Sequence, residues 1–519
     1  MDIGATKRPY RGAEGGQGAH YPFDMRGVVR GSDGVKRYSG LAPSVAAVLE
    51  ESVERAPHDE ALVELDGPRL SYAQLWERAR SVAGGLREAG VDRGDRVAIR
   101  MTNGVDWAVT FFGAILAGAV VVPVNTRFTD AEADYVIEDS GAKLVLRDGD
   151  RLPSGSPDHL SEIGPDDLAV IFYISNTTGF PKGAMTSHAN LLSNIETCLR
   201  VAEWDRDRTG QRTLISVPLF HVTGCSSQLL VATAVAGTSV IQRTFEVGRF
   251  LRAIEEERIE VLTAVPAIYW YALSQPEFAQ IDTSSVTKCT YGGAPISPDL
   301  VHRIAEGFPT AKVGNGYGLT ESSSVVSFLP HEYAADHADS VGFPAPVVDV
   351  RISESDPETG IGELLVRGPN VVSGYWRKPR ETAATFVDGW LRTGDLCRVD
   401  DNGLLYVVDR LKDVINRGGE NVYCVEVENA LIAHPDVFEV AVVGVPDEMM
   451  GEKVGAVVVP RPGSTVKPEE IRSFALEKLA DFKAPQYVAV RNEPLPRNPG
   501  GKVLKARLRE ETDWGRQLR

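Results

Sequence analysis

Residues 107–124 read WAVTFFGAILAGAVVVPV. The run carries no charge and is about as long as a membrane span, so two incompatible folds compete for it. Its internal grain decides between them. Gly113, Gly118 and Pro123 punctuate it, and from Val120 the composition turns from helical to β-branched. A buried helix running straight into a buried parallel strand accounts for both halves, because a strand covered on both faces is apolar at every position. The stretch is read as one step of an α/β fold, with no transmembrane segment.

The same texture extends to either side. RVAIRM (96–101), VVVPV (120–124), KLVLRD (143–148), LAVIFYIS (168–175), TLISVPLF (213–220) and VLTAVP (261–266) have strand character. Between them lie amphipathic segments such as 72–90 and 187–204. This alternation predicts layered α/β structure with largely parallel sheets, whose strand-end loops bind ligands. After about residue 405 the pattern changes, and a compact α+β region of roughly 110 residues fits a separate C-terminal domain. Residues 1–40, rich in Gly, Arg and Asp, are expected to be a flexible N-terminal extension.

With 519 residues the chain exceeds the size at which one core stops growing, so two or more domains are expected. A net charge of −17 argues against nucleic acid as a partner. It does not argue against a small anion, which responds to its local pocket. Cys198, Cys225, Cys289, Cys397 and Cys424 show no metal or redox spacing, and no secretory signal is visible, so a reducing cytoplasmic location is expected.

FYISNTTGFPKG (172–183) raises the question of chemistry. Thr177, Thr178, Gly179, Lys182 and Gly183 offer hydroxyls, exposed backbone N–H groups and one cation, the donors that phosphate oxygens need. The P-loop pattern itself is not matched, since Lys182 precedes Gly183 and Ala184 follows it; a polar turn between a strand and a helix is the plainer reading. Other loops change the balance. GYGLTES (316–322) joins an aromatic, a hydroxyl and a carboxylate. GWLRTGDL (389–396) sets Asp395 after a glycine, where it can accept from a diol. DRLKDVINRGGENVY (409–423) sits at the domain boundary, and PLPRNPGGKVLK (494–505) presents Lys502 on a glycine turn.

In this order the motifs resemble the adenylate-forming superfamily of acyl-CoA synthetases, peptide-synthetase adenylation domains and firefly-type luciferases. PLFHVTG (218–224) and GGENVY (418–423) place the resemblance nearest the acyl- and aryl-CoA ligases. It implies an α/β fold with a large N-terminal AMP-binding domain (41–408), a hinge (409–413) and a smaller mobile α+β C-terminal domain (414–519). It also implies ATP, Mg²⁺ and coenzyme A as ligands, a small-molecule carboxylic acid as substrate, and leaves room for a homodimer. Thr177, Thr178, Gly179 and Lys182 would hold the β- and γ-phosphates. Gly293, Ala294 and Pro295, with Asn315, Gly316 and Tyr317, would line the adenine. Thr320 would touch the α-phosphate and Glu321 would bind Mg²⁺. Asp395 and Arg410 would hold the ribose, His221 would lie beside the acyl carboxylate, and Lys502 would bridge that carboxylate and the α-phosphate. Lys412 would be the hinge residue, and Gly418 and Gly419 would face the site after domain rotation.

The resemblance implies a two-step reaction through acyl-AMP, with a hydrophobic, fatty acid as the first expectation because HVTGCSSQ (221–228) and ESSSVV (321–326) are small and mostly neutral. Aryl and arylpropenoic acids come next. Transfer to a carrier-protein pantetheine and a non-catalytic nucleotide binder are the competing functions. Single residues have plainer readings: His221 as a strand-end histidine, Lys412 as a solvated charge, Glu420 and Asn421 as turn formers. Ile174 and Asn176 stand where the family has a hydroxyl residue and a glycine, so a weaker grip on the outer phosphates is expected.

Overall fold

A computed structural model describes residues 21–160, 162–176, 179–294, 296–461, 463–497 and 503–518. The 107–124 stretch forms the helix Val105–Leu116 followed by the strand Val120–Pro123. The helix ends where Gly118 takes a positive φ of 71°, a conformation that a residue with a Cβ adopts at a cost. Every residue of the helix except Asp106 is buried, and Trp107 stacks on Phe111 with ring centroids 5.4 Å apart. Among the described residues no helix is long and apolar enough to cross a membrane.

The strand Val120–Pro123 lies inside a five-stranded sheet, in the order Ala142–Arg147, Arg96–Arg100, Val120–Pro123, Leu168–Asn176, Gly179–Ser187. All pairings are parallel except the last. A nine-stranded sheet runs from Phe343–Pro344 through Lys312–Leu319, Lys288–Gly292 and Val261–Ala264 to Arg69–Ser71, with a parallel centre and antiparallel margins. Apolar helices fill the space around both sheets, which is why their strands are apolar on both faces.

One further sheet of the large domain departs from the parallel expectation. Asp349–Ser353, Gly362–Arg367, Trp390–Val399 and Leu405–Arg410 form an antiparallel sheet with a core of its own. From Ile415 onward the chain builds the α+β part expected there, a sheet that is antiparallel except where Gly451–Pro460 pairs with Tyr487–Val490, around Val422, Val427, Leu431, Val442, Val454 and Val458. Phe438 of this last part meets Trp270 with centroids 4.3 Å apart.

The expected flexible extension requires correction over residues 21–40. Val28–Arg30 and Lys36–Tyr38 form a hairpin docked on the body. Phe23 enters the core, the Tyr21 hydroxyl donates to the Pro344 carbonyl at 2.7 Å, and Arg30 and Lys36 pair with Asp349. Three aromatic anchors, Tyr21, Phe23 and Tyr38, outweigh a composition that looks disordered. Residues 1–20 lie outside the described residues.

Candidate functional site

The candidate phosphate loop is not the expected turn between strand and helix. Leu168–Asn176 and Gly179–Ser187 pair as an antiparallel hairpin, and the helix His188–Val201 begins only after the return strand. Ile174 stands opposite Lys182 and Asn176 opposite Gly179. Thr177 and Thr178, at the tip, lie outside the described residues. The sequence PKGAMTS carries no strand signal of its own; the ladder to Leu168–Asn176 and a bridge from Ala184 to Tyr375 hold it extended. The Nζ of Lys182 sits 5.4 Å from the centre of the Tyr375 ring.

Beside it, the parallel strands Lys288–Gly292 and Lys312–Leu319 set Tyr291 against Asn315 and Gly292 against Gly316. Their C-terminal ends carry Gly293, Ala294, Tyr317 and Thr320, the place where open α/β sheets bind ligands. Pro295 lies outside the described residues. Asn315 is buried and donates to the Ser340 carbonyl at 3.0 Å. Past Gly318 the chain doubles back so tightly that a Cβ there would lie 1.4 Å from the Ser324 carbonyl oxygen. That fold-back forms the turn Thr320–Ser322 and places Ser323 at φ 57°.

Asp395 is 2% exposed and faces Arg410 across two paired strands. Its Oδ1 accepts from Arg410 Nε at 2.6 Å, and its Oδ2 from the Tyr317 hydroxyl at 2.5 Å. Burial and the adjacent anion hold the Tyr317 hydroxyl well above its ordinary pKa, so it stays a donor. Each carboxylate oxygen keeps a second lone pair, the capacity needed to accept from a diol. Three residues from separate motifs, Tyr317, Asp395 and Arg410, are thus brought into one contact around the buried Asp395 carboxylate.

Glu321, half-buried, accepts from the Tyr375 hydroxyl at 2.7 Å. Among the described residues no cluster of three or more His, Cys, Asp or Glu forms a metal cage. A lone carboxylate fits Mg²⁺, which is usually held by one or two carboxylates together with substrate phosphates.

The strand expected over 213–220 stops at Ile215, and His221 instead caps the short helix Val222–Gly224 with its ring 4.7 Å from Phe220. A π-turn, Cys225–Leu229, follows; such turns often occur at functional sites. Ser227 Oγ donates to Ser324 Oγ at 2.7 Å, joining the two segments expected to line the acyl group. Asn194, fully buried in the helix after the hairpin, secures both: its Nδ2 donates to the Ser226 carbonyl and its Oδ1 accepts from Val325 N–H. Sequence reasoning missed Asn194 and Tyr375. An asparagine on the buried face of an amphipathic helix was the available signal for the first.

At the boundary, Asp409 is buried and its carboxyl is pushed up to about 6 by desolvation, although it accepts the N–H groups of Arg410 and Cys424. Lys412 is exposed. Gly418 and Gly419, with φ of 62° and 95°, turn the hairpin between Ile415–Arg417 and Glu420–Val422. Lys502 lies outside the described residues. Flanking it, Arg497 and Val503 form a bridge, and Lys505 pairs with Glu428 at 2.8 Å.

The family model of AMP-binding enzymes matches residues 49–376, and that of the AMP-binding enzyme C-terminal domain matches 426–502. A feruloyl-CoA synthase of Amycolatopsis sp is 37% identical over 479 residues, covering 88% of this chain and 96% of its own length. A long-chain-fatty-acid–CoA ligase of Mycobacterium tuberculosis is 34% identical, covering 90% and 98%. The structure of o-succinylbenzoate CoA synthetase from Bacillus subtilis, in complex with its acyl-adenylate intermediate, superposes with a TM-score of 0.81 at 29% identity, over 91% of this chain and 99% of that one.

Proposed function

This chain belongs to the family of AMP-binding enzymes, in the acyl-CoA ligase branch of the adenylate-forming superfamily, and from that premise we propose that it activates a hydrophobic carboxylic acid as acyl-AMP and then forms the acyl-CoA thioester. ATP, Mg²⁺ and coenzyme A are its ligands. In the first step a carboxylate oxygen attacks the α-phosphorus and the bond to the β-phosphate oxygen breaks, releasing pyrophosphate. In the second, the CoA sulfur attacks the acyl carbon, its proton leaves to solvent, and AMP departs with the bridging oxygen.

The observations that support this reading are two contact groups joined by the turn after Gly318: Lys182 and Glu321 share Tyr375, with Thr320 next to Glu321, and Asp395 accepts from both Tyr317 and Arg410. Bringing a carboxylate to a triphosphate sets anion against anion, so cations must stand where they meet. Lys182 serves the outer phosphates together with Thr177, Thr178 and Gly179, and Lys502 serves the reacting carboxylate and α-phosphate. Glu321 would hold Mg²⁺, whose charge would offset that of the phosphates. Asp395 and Arg410 hold the ribose, Tyr317 stacks on the adenine, and Asn315, Gly316 and Gly293 to Pro295 line it. His221 stands beside the acyl carboxylate. Lys412 is the pivot of the 414–519 domain, and Gly418 and Gly419 face the site in the second step. All five cysteines are buried and free of disulfides, which supports a reducing cytoplasmic location.

The small, neutral residues of 221–228 and 321–326 support a hydrophobic acyl group, with fatty acids first. A second reading, an arylpropenoic acid with a ring hydroxyl, is supported by Gln228 Oε1 and Ser226 Oγ, which are buried on the same segment without a hydrogen-bond partner. An alkyl chain leaves such atoms unpaired, at a cost of about 1–3 kcal/mol each, whereas a hydroxylated ring can pair them. AMP release should be measured over medium- and long-chain fatty acids, cinnamic-type acids with and without a ring hydroxyl, and a dicarboxylic acid. A tenfold or greater preference for the hydroxylated ring selects the second reading. A dicarboxylic acid used best overturns the hydrophobic site.

Ile174, opposite Lys182, offers no donor to phosphate, and this supports a weakened phosphate grip. A hydrogen bond to a charged group is worth roughly 1.5–3 kcal/mol, or about ten- to a hundredfold. The double change Ile174→Thr with Asn176→Gly is expected to raise adenylation kcat/KM for ATP within that range. Thioester formation from supplied acyl-AMP, which has no outer phosphates, should stay unchanged. No gain in adenylation would make the two residues neutral replacements.

A further inference from the structure

Tyr375 belongs to the segment SGYW (373–376), to which neither composition nor motif drew attention. The backbone around it docks along the return strand of the phosphate hairpin. Met185 N–H donates to the Gly374 carbonyl at 3.0 Å, Trp376 N–H donates to the Gly183 carbonyl at 2.7 Å, and Ala184 bridges Tyr375 between them. The Tyr375 N–H donates to Thr382 Oγ1 at 3.0 Å, and its ring edge meets Phe386 with centroids 5.6 Å apart. The side chain is 6% exposed and so has one place to go.

From that position it touches two opposite charges. Its hydroxyl donates to Glu321 Oε1 at 2.7 Å, and its ring lies 5.4 Å from Lys182 Nζ, within cation–π range. An ammonium and a carboxylate that share one neighbour are drawn to pair with each other, which would quench both. The tyrosine gives each a neutral partner instead. Holding Oε1 also fixes the carboxylate plane and leaves the Oε2 lone pairs to a cation.

We propose that Tyr375 is a positioning residue of the adenylation step: its hydroxyl presets Glu321 for Mg²⁺, and its ring presets Lys182 for the outer phosphates. The inference rests on the proposed roles of Glu321 and Lys182. A tyrosine that merely packs the core would share the burial and the contact with Phe386, but its hydroxyl would have no specific bearing on metal.

The test is calorimetric binding of a non-hydrolysable ATP analogue to the full chain, without acid, first in EDTA and then across a Mg²⁺ titration. Wild type, Tyr375→Phe, Tyr375→Leu and Glu321→Ala are compared. Tyr375→Phe keeps the ring and should bind the analogue in EDTA as wild type does, while needing about tenfold more Mg²⁺ for the same tightening. Tyr375→Leu should in addition bind about three- to tenfold more weakly in EDTA, because the cation loses its ring. Glu321→Ala should lose most of the Mg²⁺-dependent tightening. If Glu321→Ala shifts the Mg²⁺ demand and Tyr375→Phe does not, the inference is overturned while the metal role stands. If Tyr375→Phe weakens binding in EDTA as much as in Mg²⁺, Tyr375 is only structural, and the inference again fails. An unchanged Mg²⁺ demand in Glu321→Ala removes the metal role itself, and the inference with it. The phenylalanine variant preserves the packing, so a leucine variant that does not fold leaves the test of the Glu321 role intact, and a folded leucine variant that binds in EDTA as tightly as Tyr375→Phe overturns the Lys182 role.

Discussion

Lys502→Ala slows acyl-adenylate formation by about three orders of magnitude or more, and leaves CoA capture from supplied acyl-AMP nearly intact. The size follows from the chemistry. The developing charge on the α-phosphate and the attacking carboxylate needs a preorganised cation, and removing one such group costs on the order of 10²–10⁵ in rate. The asymmetry follows from the proposed role: pyrophosphate has gone before the second step, and a cation that serves the reacting carboxylate and α-phosphate is not needed when a thiol attacks the acyl carbon. Val503 and Lys505, on its C-terminal side, are tied to Arg497 and Glu428, so the alanine variant should keep the surrounding domain folded. Rapid-quench measurement of each half-reaction separates the two. Equal loss in both contradicts a division of labour between two domain arrangements.

Asp395→Asn gives the opposite pattern. The ribose is present in both ATP and acyl-AMP, so a residue that holds it serves both steps. Asp395 is 2% exposed and is the shared acceptor of Arg410 and Tyr317, so removing its charge leaves the Arg410 guanidinium without its anion. Asp395 is buried but Arg410 is 38% exposed, so solvent screens the stranded guanidinium and the loss stays below that of a fully buried pair. Part of that appears as a lower melting temperature and part as a fall of about a hundredfold in kcat/KM for ATP. The thioester step from supplied acyl-AMP should fall with it. If that step proceeds at the wild-type rate, Asp395 is a structural ion-pair partner and the ribose contact lies elsewhere.

The two variants together expose what local sequence conveys and what it does not. The helix–strand step at 107–124 was readable because its whole cause is local: a helix uncharged beyond Asp106, a glycine stop at Gly118 and a β-branched run. The hairpin at 168–187 was not, because GFPKGAMTS becomes a strand only through pairing with Leu168–Asn176 and with Tyr375. The docked hairpin at 28–38 was hidden for a related reason. Its Gly- and Arg-rich composition resembles a tail, while its anchors, Tyr21 to Pro344 and Tyr38 to Thr197, are distant in sequence. At the site, Tyr317, Asp395 and Arg410 were nameable because each lies in a motif, and the structure adds that they touch. Tyr375 and Asn194 lie in no motif. Their partners, Glu321 and Val325, are 54 and 131 residues away, so their importance exists only in three dimensions.

The central claim is that this chain couples an acid to coenzyme A through an acyl-adenylate. The most direct measurement mixes the enzyme with ATP, Mg²⁺ and an acid from the panel, follows pyrophosphate, and only then adds coenzyme A. The account predicts pyrophosphate release that requires the acid and stops near one equivalent per enzyme, followed by AMP and thioester when the thiol arrives. Release of ADP and phosphate in place of AMP and pyrophosphate, or no acid-dependent pyrophosphate with any member of the panel, would contradict it.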